Sequence, residues 1–234
     1  MAQRALITGA SRGLGLALAR ALTHAGWELI VDARGEHELR AATADLGPAA
    51  VVHAVPGDVT DEAHRLDLAA AVDALGGDLE LLVHNASRLG PSPQPLVADY
   101  PIDELERVYA TNVFAPLRLT QLLVPCMGTG ARIVSITSDA AVEPYAGWSG
   151  YGSSKAALEQ WTRVLAAERP DVRVYVVDPG DMRTRMHQEA FPGEDISDRP
   201  LPETSVPGLL TVIEGDLPSG RYEARTLAPV GVAS

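Results

Sequence analysis

The chain has 234 residues, a formal net charge of −12 and a sequence pI of about 4.9. We expect neither nucleic acid nor an anionic membrane as a partner, because both repel an acidic surface, and no window approaches the ~18 apolar residues of a membrane span. The single cysteine, Cys126, cannot form an internal disulfide, which favours a cytoplasmic location.

Short apolar runs alternate with helical patterns along the chain. The predicted strands are Arg4–Thr8, Glu28–Ala33, Ala50–Val55, Leu79–His84, Ala131–Thr137 and Val172–Val177, with a weaker seventh at Arg221–Leu227. The predicted helices are Gly13–Ala25, Glu36–Leu46, Asp61–Leu75, Ile102–Met127 and Tyr151–Glu168. This alternation predicts a single α/β domain over residues 1–234, built on a doubly wound parallel sheet with helices on both faces. Residues 187–207 are expected to form an irregular segment that covers a substrate site.

A glycine-rich turn follows the first predicted strand and opens the first helix. It reads Thr8-Gly9-Ala10-Ser11-Arg12-Gly13-Leu14-Gly15. Glycines let the backbone approach a pyrophosphate, and the helix N-terminus offers free N–H groups. The spacing is Gly-x-x-x-Gly-x-Gly instead of the commoner Gly-x-Gly-x-x-Gly, and a tight packing loop is the alternative. We expect the segment Gly9–Gly15, with Ser11, Arg12, Gly13 and Leu14 inside it, to contact a dinucleotide.

The end of the second strand bears on which dinucleotide is bound. An acidic residue there would bind the ribose hydroxyls of NAD, whereas an arginine would hold the 2′-phosphate of NADP. Asp32 and Arg34 compete for this role, and Arg12 could clamp the same phosphate from the other side. Alternation along the strand should point Asp32 away from the ribose. We therefore favour NADP over NAD.

Two further strand ends supply candidate cofactor contacts. Asp58 and Val59 follow the third strand, where Asp58 would contact the adenine or else lie at the start of the next helix. Asn85 and Ala86 follow the fourth strand, at the carboxyl edge where such ligands bind.

Lys155 is the single lysine among 19 Lys and Arg residues, and it follows Tyr151 by four positions. On a helix, positions i and i+4 share one face. A phenol has an unperturbed pKa of about 10, and a nearby ammonium favours the phenolate and lowers that pKa. The pair is therefore a candidate acid/base, with a surface tyrosine and a solvated lysine as the alternative.

Taken in order, these residues resemble the short-chain dehydrogenase/reductase family. The resemblance rests on the Thr8–Gly15 turn, Asp58, Asn85-Ala86, Asn112, Ser138, Tyr151-x-x-x-Lys155 and Pro179-Gly180-x-x-x-Thr184, and it runs from about residue 4 to residue 186. It implies a Rossmann-type fold and nicotinamide-dependent oxidoreduction. Tyr151 would be the acid/base, Lys155 its pKa-lowering partner and a ribose ligand, and Asn112 part of a water relay. Thr184 would bind the carboxamide or phosphate side of the cofactor, with Pro179, Gly180 and Met182 beside it.

Residue chemistry supports the role that the resemblance gives to Ser138. Hydride transfer to a carbonyl carbon needs a proton at the oxygen, and Ser138 can donate a hydrogen bond to that oxygen while Tyr151 transfers the proton. Ser138 closes a strand, and a simple capping serine is the alternative. Asn112 lies in a helical pattern where Asn is a poor helix former, which indicates a buried hydrogen bond.

The chain departs from the family pattern in two places. The family's usual Asn-Asn-Ala-Gly element reads His84-Asn85-Ala86-Ser87, so a side chain replaces a glycine beside the cofactor ribose. The common C-terminal Asp-Gly-Gly ending is absent, although long Ala- and Leu-rich helices still lead us to expect a homodimer or homotetramer.

These observations favour an NADP(H)-dependent enzyme that interconverts a small-molecule ketone or aldehyde and an alcohol. An NAD-dependent alcohol dehydrogenase working oxidatively is the nearest alternative, and a dinucleotide sensor without turnover is the alternative from another class. We expect no metal, because the six histidines show no metal-ligand spacing.

Overall fold

The fold is built on one parallel sheet. The computed structural model describes residues 2–47 and 50–228. Within them, seven strands run in the order β3-β2-β1-β4-β5-β6-β7, and all neighbouring pairs are parallel. The strands are β1 (Arg4–Ile7), β2 (Glu28–Ala33), β3 (Val52–Pro56), β4 (Leu81–His84), β5 (Arg132–Ile136), β6 (Arg173–Asp178) and β7 (Gly220–Glu223).

Helices cover both faces of this sheet. They are α1 (Gly13–His24), α2 (Glu36–Ala44), α3 (Glu62–Ala74), α4 (Ile102–Tyr109), α5 (Ala115–Leu123), α6 (Ser149–Glu168), α7 (Arg185–Ala190) and α8 (Val206–Glu214). None of the helices in the described ranges combines the length and apolar composition needed to cross a bilayer. The predicted class, a single-domain Rossmann-type α/β fold, is confirmed.

The two faces of the sheet carry separate apolar cores, because successive strand side chains point to opposite sides. Along β1, Ala5 and Ile7 pack with α1 and α8 on one face, whereas Leu6 packs with α3 and α5 on the other. Strand β1 pairs with β2 on one side and β4 on the other. Successive strands are therefore added on one side of β1 up to β3 and on the other side from β4 onward. The carboxyl ends of β1 and β4 flank a crevice at this reversal, which is where open α/β sheets bind ligands.

The helix predicted over Ile102–Met127 is interrupted. A π-helical turn, Ala110–Phe114, separates α4 from α5, and a 3₁₀ turn follows at Val124–Cys126. Pro116 supplies the physical reason: it has no N–H, so it cannot donate to the carbonyl four residues earlier, that of Asn112. The wider turn places Asn112 at a break in the regular helix.

The irregular segment predicted at 187–207 is shorter than expected. Helix α7 extends to Ala190, and α8 begins at Val206. Thr184 caps α7 by accepting a hydrogen bond from the His187 N–H at 3.2 Å. Pro207 lies in the first turn of α8, where a missing N–H costs nothing. Helix α8 was not predicted, because its proline suggested a break instead of a beginning.

Candidate active site

A cavity of about 1170 Å³ opens at the carboxyl edge of the sheet. Almost all predicted site residues line it: Gly9, Ser11, Arg12, Gly13, Leu14, Arg34, Asp58, Val59, Asn85, Ala86, Ser138, Tyr151, Lys155, Pro179, Gly180, Met182 and Thr184. Gly15 and Asn112 do not line the cavity but pack behind its wall. Gly15 lies against Asn85, and Asn112 is hydrogen-bonded to the backbone of Arg88. The sequence motifs therefore converge on one concave surface.

The glycine-rich turn is held from behind by the loop after β4. The Asn85 side-chain amide donates to the carbonyls of Thr8 and Gly9 at 2.9 and 3.0 Å. Gly9 has φ +70°, and a Cβ there would lie 2.9 Å from the Ala86 Cα. Only glycine fits this position. Asn85 thus positions the turn with its side chain.

The N-terminus of α1 is suited to a pyrophosphate. No side chain caps it at Arg12, and its first turn carries no acidic residue. Its first N–H groups and the positive end of the helix dipole therefore remain available to an anion. Thr184 reaches this point from across the cavity: a Cβ on Gly13 would lie 3.7 Å from its methyl group. The residues present fit a dinucleotide.

Asp32 supports the glycine-rich turn instead of facing a ligand with a free carboxylate. One oxygen accepts the Gly9 N–H at 2.7 Å, and the other lies 3.1 Å from His64 Nε2. The side chain is almost fully buried, and this burial raises the pKa of Asp32, while His64 and the Gly9 N–H lower it. Both carboxylate oxygens are engaged inside the protein.

Arg12 and Arg34 are exposed and line the same cavity. Glu38, which sequence reasoning missed, also lines it, and its carboxylate folds back to the start of α2, where a Cβ on Gly35 would overlap it. An anion at this helix N-terminus interacts favourably with the dipole. This end of the cavity therefore presents two guanidinium groups and one carboxylate.

Asp58 does not cap the following helix. Its Oδ1 accepts hydrogen bonds from the backbone N–H and the hydroxyl of Thr60, at 2.9 and 2.8 Å. Asp61 is the N-cap of α3, accepting from the Ala63 N–H. Asp58 therefore shapes a turn at the cavity wall, and Val59 beside it is buried.

Tyr151 and Lys155 project from the first turns of α6. A Cβ on Gly152 would lie 2.5 Å from the Ala140 carbonyl, so this glycine lets α6 approach the loop after β5. Lys155 Nζ donates to the Ile136 carbonyl at 2.8 Å and lies 5.5 Å from the centre of the Tyr151 ring. The helix thus places both side chains on one face, as the spacing predicted, with the ammonium over the Tyr151 ring.

Burial moves both groups toward their neutral forms. It lowers the pKa of Lys155 to about 8, with Glu159 acting in the opposite direction. It raises the pKa of the Tyr151 phenol; the Ser87 hydroxyl lowers that pKa, and Asp178 and Asp139 raise it further. The expected lowering of the Tyr151 pKa by Lys155 is therefore not seen, because burial of the phenol acts in the opposite direction and dominates. In this structure the phenol is a proton donor, and Lys155 is a cation that titrates near physiological pH.

Ser138 lies at the end of β5 with its hydroxyl in the cavity wall. The hydroxyl donates to Asp139 Oδ1 at 2.8 Å and accepts the Ala140 N–H at 3.2 Å. Asp139 also accepts from the Tyr145 hydroxyl at 2.9 Å. Sequence reasoning missed Asp139, which orients Ser138 and places a carboxylate at the rim.

The Asn112 side chain is buried and fully hydrogen-bonded. Its Nδ2 donates to the Arg88 carbonyl and to Ser154 Oγ, both at 2.9 Å. Its Oδ1 accepts the Arg88 N–H at 2.8 Å and the Ser87 hydroxyl at 3.2 Å. Ser154 in turn donates to the Tyr151 carbonyl. Asn112 therefore ties the loop after β4 to the helix that carries Tyr151.

A second buried network beside Lys155 was not predicted from the sequence. Glu159 accepts from the Thr137 hydroxyl at 2.8 Å and from Arg221 Nε at 3.1 Å. Arg221, on β7, also lies 3.4 Å from Asp178. The seventh strand thus supplies one of the cations that pair with the buried Glu159, the other being Arg163, and the same Arg221 also pairs with Asp178 at the cavity wall.

The side of the cavity next to Tyr151 has an apolar wall. Leu89, Ala140 and Tyr151 form a small buried cluster, and Trp148 and Met186 pack against it. The Trp148 ring meets the Tyr151 ring edge-on, with centroids 5.8 Å apart.

His84 is buried and does not line the cavity. Its Nε2 lies 2.8 Å from Thr120 Oγ1, and burial lowers the pKa of His84 to about 3. The imidazole is therefore neutral at physiological pH.

Comparison with known proteins gives the family. The sequence model described as short chain dehydrogenase matches residues 3–195. The chain belongs to the short-chain dehydrogenase/reductase family, whose members bind a nicotinamide dinucleotide and catalyse oxidation and reduction.

Individual relatives have different substrates. The chain is 35% identical over 193 residues to the benzil reductase ((S)-benzoin forming) of Saccharomyces cerevisiae, covering 79% of this chain and 73% of that protein. It is 36% identical over 184 residues to the serine 3-dehydrogenase of Agrobacterium fabrum, covering 76% and 72%. A short chain dehydrogenase of Shigella flexneri, solved in complex with NADP, superposes with a TM-score of 0.88 at 27% identity, covering 95% of this chain and 97% of that one.

Proposed function

We propose that the protein is an NADP(H)-dependent oxidoreductase that interconverts a ketone or aldehyde and the corresponding alcohol, with Tyr151 as the acid/base. The observation that carries this proposal is the position of Tyr151, Lys155 and Ser138 on one cavity that also contains the glycine-rich turn. A dinucleotide sensor would need the turn and not the acid/base group.

The chain's own residues account for the proton chemistry. The nicotinamide, when bound, supplies or accepts the hydride at the carbonyl carbon. Because burial raises the Tyr151 pKa, the phenol keeps its proton at neutral pH and can give it to the oxygen that gains negative charge during reduction. The Lys155 ammonium stabilises the phenolate that is left behind. Ser138, oriented by Asp139, fixes the oxygen by a hydrogen bond.

The proposed preference for NADP rests on Arg12 and Arg34. Both guanidinium groups line the adenosine end of the cavity, and the carboxylate of Asp32 is taken up by Gly9 and His64. Glu38 is the one observation that favours NAD, since a carboxylate at the start of α2 would repel a 2′-phosphate. Its long exposed side chain can rotate away, so the two arginines decide our choice.

The substrate is proposed to be a small carbonyl compound with an apolar or aromatic group beside the reacting carbon. Leu89, Trp148 and Met186 would contact such a group near Tyr151. The name of the yeast relative, a benzil reductase, agrees with this choice, whereas that of the serine 3-dehydrogenase does not, so the apolar wall carries the proposal.

The experiment is a turnover assay of NADPH and NADH, each with a panel of aryl ketones, aliphatic ketones and charged aldehydes. We expect NADPH oxidation, fastest with aryl ketones. Reduction at equal rate with both cofactors would remove the NADP preference, and saturable NADPH binding without turnover of any carbonyl would favour the sensor.

We further propose a homo-oligomer that acts in the cytoplasm. Ile102 on α4, Phe114 in the π-helical turn and Val164 on α6 have 67%, 58% and 45% of their surface exposed. A second copy covering these helices would bury that apolar surface. Light scattering at micromolar concentration is expected to give a dimeric or tetrameric mass, and a monomeric mass would contradict the proposal.

A further inference from the structure

Asp139 places a carboxylate in the cavity wall, directly after the serine that holds the substrate oxygen in the proposed mechanism. Its Oδ1 accepts hydrogen bonds from the Ser138 hydroxyl and the Ala140 N–H, both at 2.8 Å. Its Oδ2 accepts one from the Tyr145 hydroxyl at 2.9 Å. Because an ionised carboxylate can accept about four hydrogen bonds, one acceptor position on Oδ2 is not used by these contacts.

The negative charge of Asp139 is not balanced by a cation. All three of its donors are neutral, and in the part of the chain that the structure describes no basic side chain forms an ion pair with it. Arg221 comes within 3.5 Å of the Ser138 carbonyl oxygen, but its guanidinium pairs with Glu159 and Asp178. The cavity therefore presents an uncompensated carboxylate beside the proposed reaction centre.

The bond to Ser138 fixes how far this charge lies from the substrate. A substrate oxygen at hydrogen-bond distance from Ser138 Oγ is at most ~6 Å from Asp139 Oδ1, which is the sum of two hydrogen-bond lengths. A charged group on the carbon next to the carbonyl can therefore reach the carboxylate. The rings of Tyr145 and Trp148, with centroids 6.4 Å apart, lie on the same side, and aromatic rings attract cations. This combination favours an ammonium group.

The hydrogen bonding of Ser138 supports the same chemistry. Its hydroxyl has one proton, which Asp139 accepts in this structure, so a substrate carbonyl competes with a carboxylate for that hydrogen bond. A substrate ammonium would donate to Asp139 in place of Ser138, while the Ala140 N–H stays on Oδ1. The hydroxyl is then free to turn to the carbonyl oxygen without leaving the carboxylate short of a donor.

We propose that the substrate is a ketone with a protonated amine on the carbon next to the carbonyl, and that Asp139 binds this ammonium. The assignment rests on the proposed function, because that function places the carbonyl oxygen at Ser138 and Tyr151. The apolar wall that includes Trp148 would contact the other substituent of the carbonyl carbon. Asp139 is then a specificity-determining residue, whose charge selects amino ketones over neutral ketones of the same shape.

The test compares the reduction of α-aminoacetophenone and α-hydroxyacetophenone by NADPH at pH 6, where the amine is protonated. Asp139→Asn keeps an acceptor for Ser138 and Ala140 and removes the charge. We expect it to lower the ratio of kcat/KM for the amino ketone to kcat/KM for the hydroxy ketone at least about tenfold, as for the loss of a hydrogen bond between charged groups. The intrinsic reactivities of the two ketones cancel, because both are measured with both proteins.

Glu143→Gln is the matched control. It removes the same charge from an exposed side chain that follows Asp139 by four positions and does not line the cavity. The control should leave the ratio at its wild-type value. An unchanged ratio in Asp139→Asn would overturn the proposal even if both rates fall, since an equal loss for the two ketones describes a side chain that only orients Ser138. An equal fall of the ratio in Glu143→Gln would also overturn it.

Binding of an amine that cannot react separates this assignment from the proposed function. Phenylethylamine and the neutral phenylethanol are titrated by calorimetry into the NADPH complexes of wild type and Asp139→Asn. We expect the substitution to weaken binding of the amine at least about tenfold more than binding of the alcohol. Equal losses for the two ligands refute the role of Asp139, whereas the expected difference without turnover of any ketone refutes only the proposed function.

Discussion

The buried ammonium of Lys155 should make the protein less stable than a variant without it. The side chain is 2% exposed, and burial lowers its pKa from an ordinary value of 10.5 to about 8. At ~1.4 kcal/mol for each pKa unit, this shift means that burying the charged Lys155 destabilises the folded protein by about 3 kcal/mol at neutral pH. Lys155→Met keeps the length of the side chain and removes the charge, but it leaves the Ile136 carbonyl without its donor, at a cost of ~1–3 kcal/mol.

The pH dependence of this difference is the sharper prediction, because the lost hydrogen bond contributes equally at every pH. The folded-state pKa lies below the unfolded-state pKa, so between pH 8 and 10.5 the folded protein holds fewer protons and wild-type stability rises with pH. At pH 7 we expect Lys155→Met to be as stable as wild type or up to ~2 kcal/mol more stable. Between pH 7 and pH 10, the unfolding free energy of wild type should rise by about 2.5 kcal/mol relative to that of Lys155→Met.

The assay is urea unfolding of both proteins at pH 7 and pH 10, with turnover measured in parallel. Tyrosines and other groups that titrate in this range are common to the two chains and cancel in the difference. The variant should lose turnover at both pH values. A difference in unfolding free energy that does not change with pH would refute the reasoning, because it would mean that Lys155 titrates normally in the folded protein.

Two further substitutions test the cofactor end of the cavity. Arg34→Ala is expected to weaken NADP binding at least tenfold and to leave NAD binding little changed, since a charge-assisted contact is worth ~1.5–3 kcal/mol. The control is Arg40→Ala, an exposed arginine on α2, the helix that begins two residues after Arg34. Equal losses for both cofactors would contradict the assignment. Asp32→Ala removes the acceptor of the Gly9 N–H and the partner of His64, so it should cost ~1–3 kcal/mol of stability and weaken both dinucleotides alike. Calorimetric titration and urea unfolding measure these effects, and a loss confined to NAD would show that Asp32 contacts the ribose.

The sheet was predictable because its strands are short apolar runs covered on both faces. Short apolar runs such as Leu81–His84, when they alternate with helical patterns along a chain, are typical of the buried strands of a parallel sheet. The strand and helix ends differ from the predicted ones by only a few residues. The interruption of the helix at Asn112 was harder to predict. The π-helical turn arises because Pro116 has no N–H to donate to the Asn112 carbonyl, and the spacing of apolar residues carries no information about this missing hydrogen bond.

The candidate site was predictable where its residues are close in sequence. Tyr151 and Lys155 share one helix face, so their spacing was enough to pair them. The roles of Asp32 and Glu159 depend on partners far along the chain, His64 and Arg221, which only the folded structure brings within hydrogen-bond distance. The apolar wall beside Tyr151 includes Met186 of α7, and the sequence of α7 carries no chemical motif.

In the reaction proposed for this cavity, Tyr151 transfers the proton that accompanies hydride transfer. The most direct measurement is a single-turnover experiment that follows NADPH absorbance with an aryl ketone, for wild type and Tyr151→Phe, together with cofactor titration of both. We predict that Tyr151→Phe binds NADPH as tightly as wild type, because the ring packs in the same place, and loses at least about 10²-fold in rate, the contribution typical of a general acid. Wild-type rates in Tyr151→Phe would contradict the account.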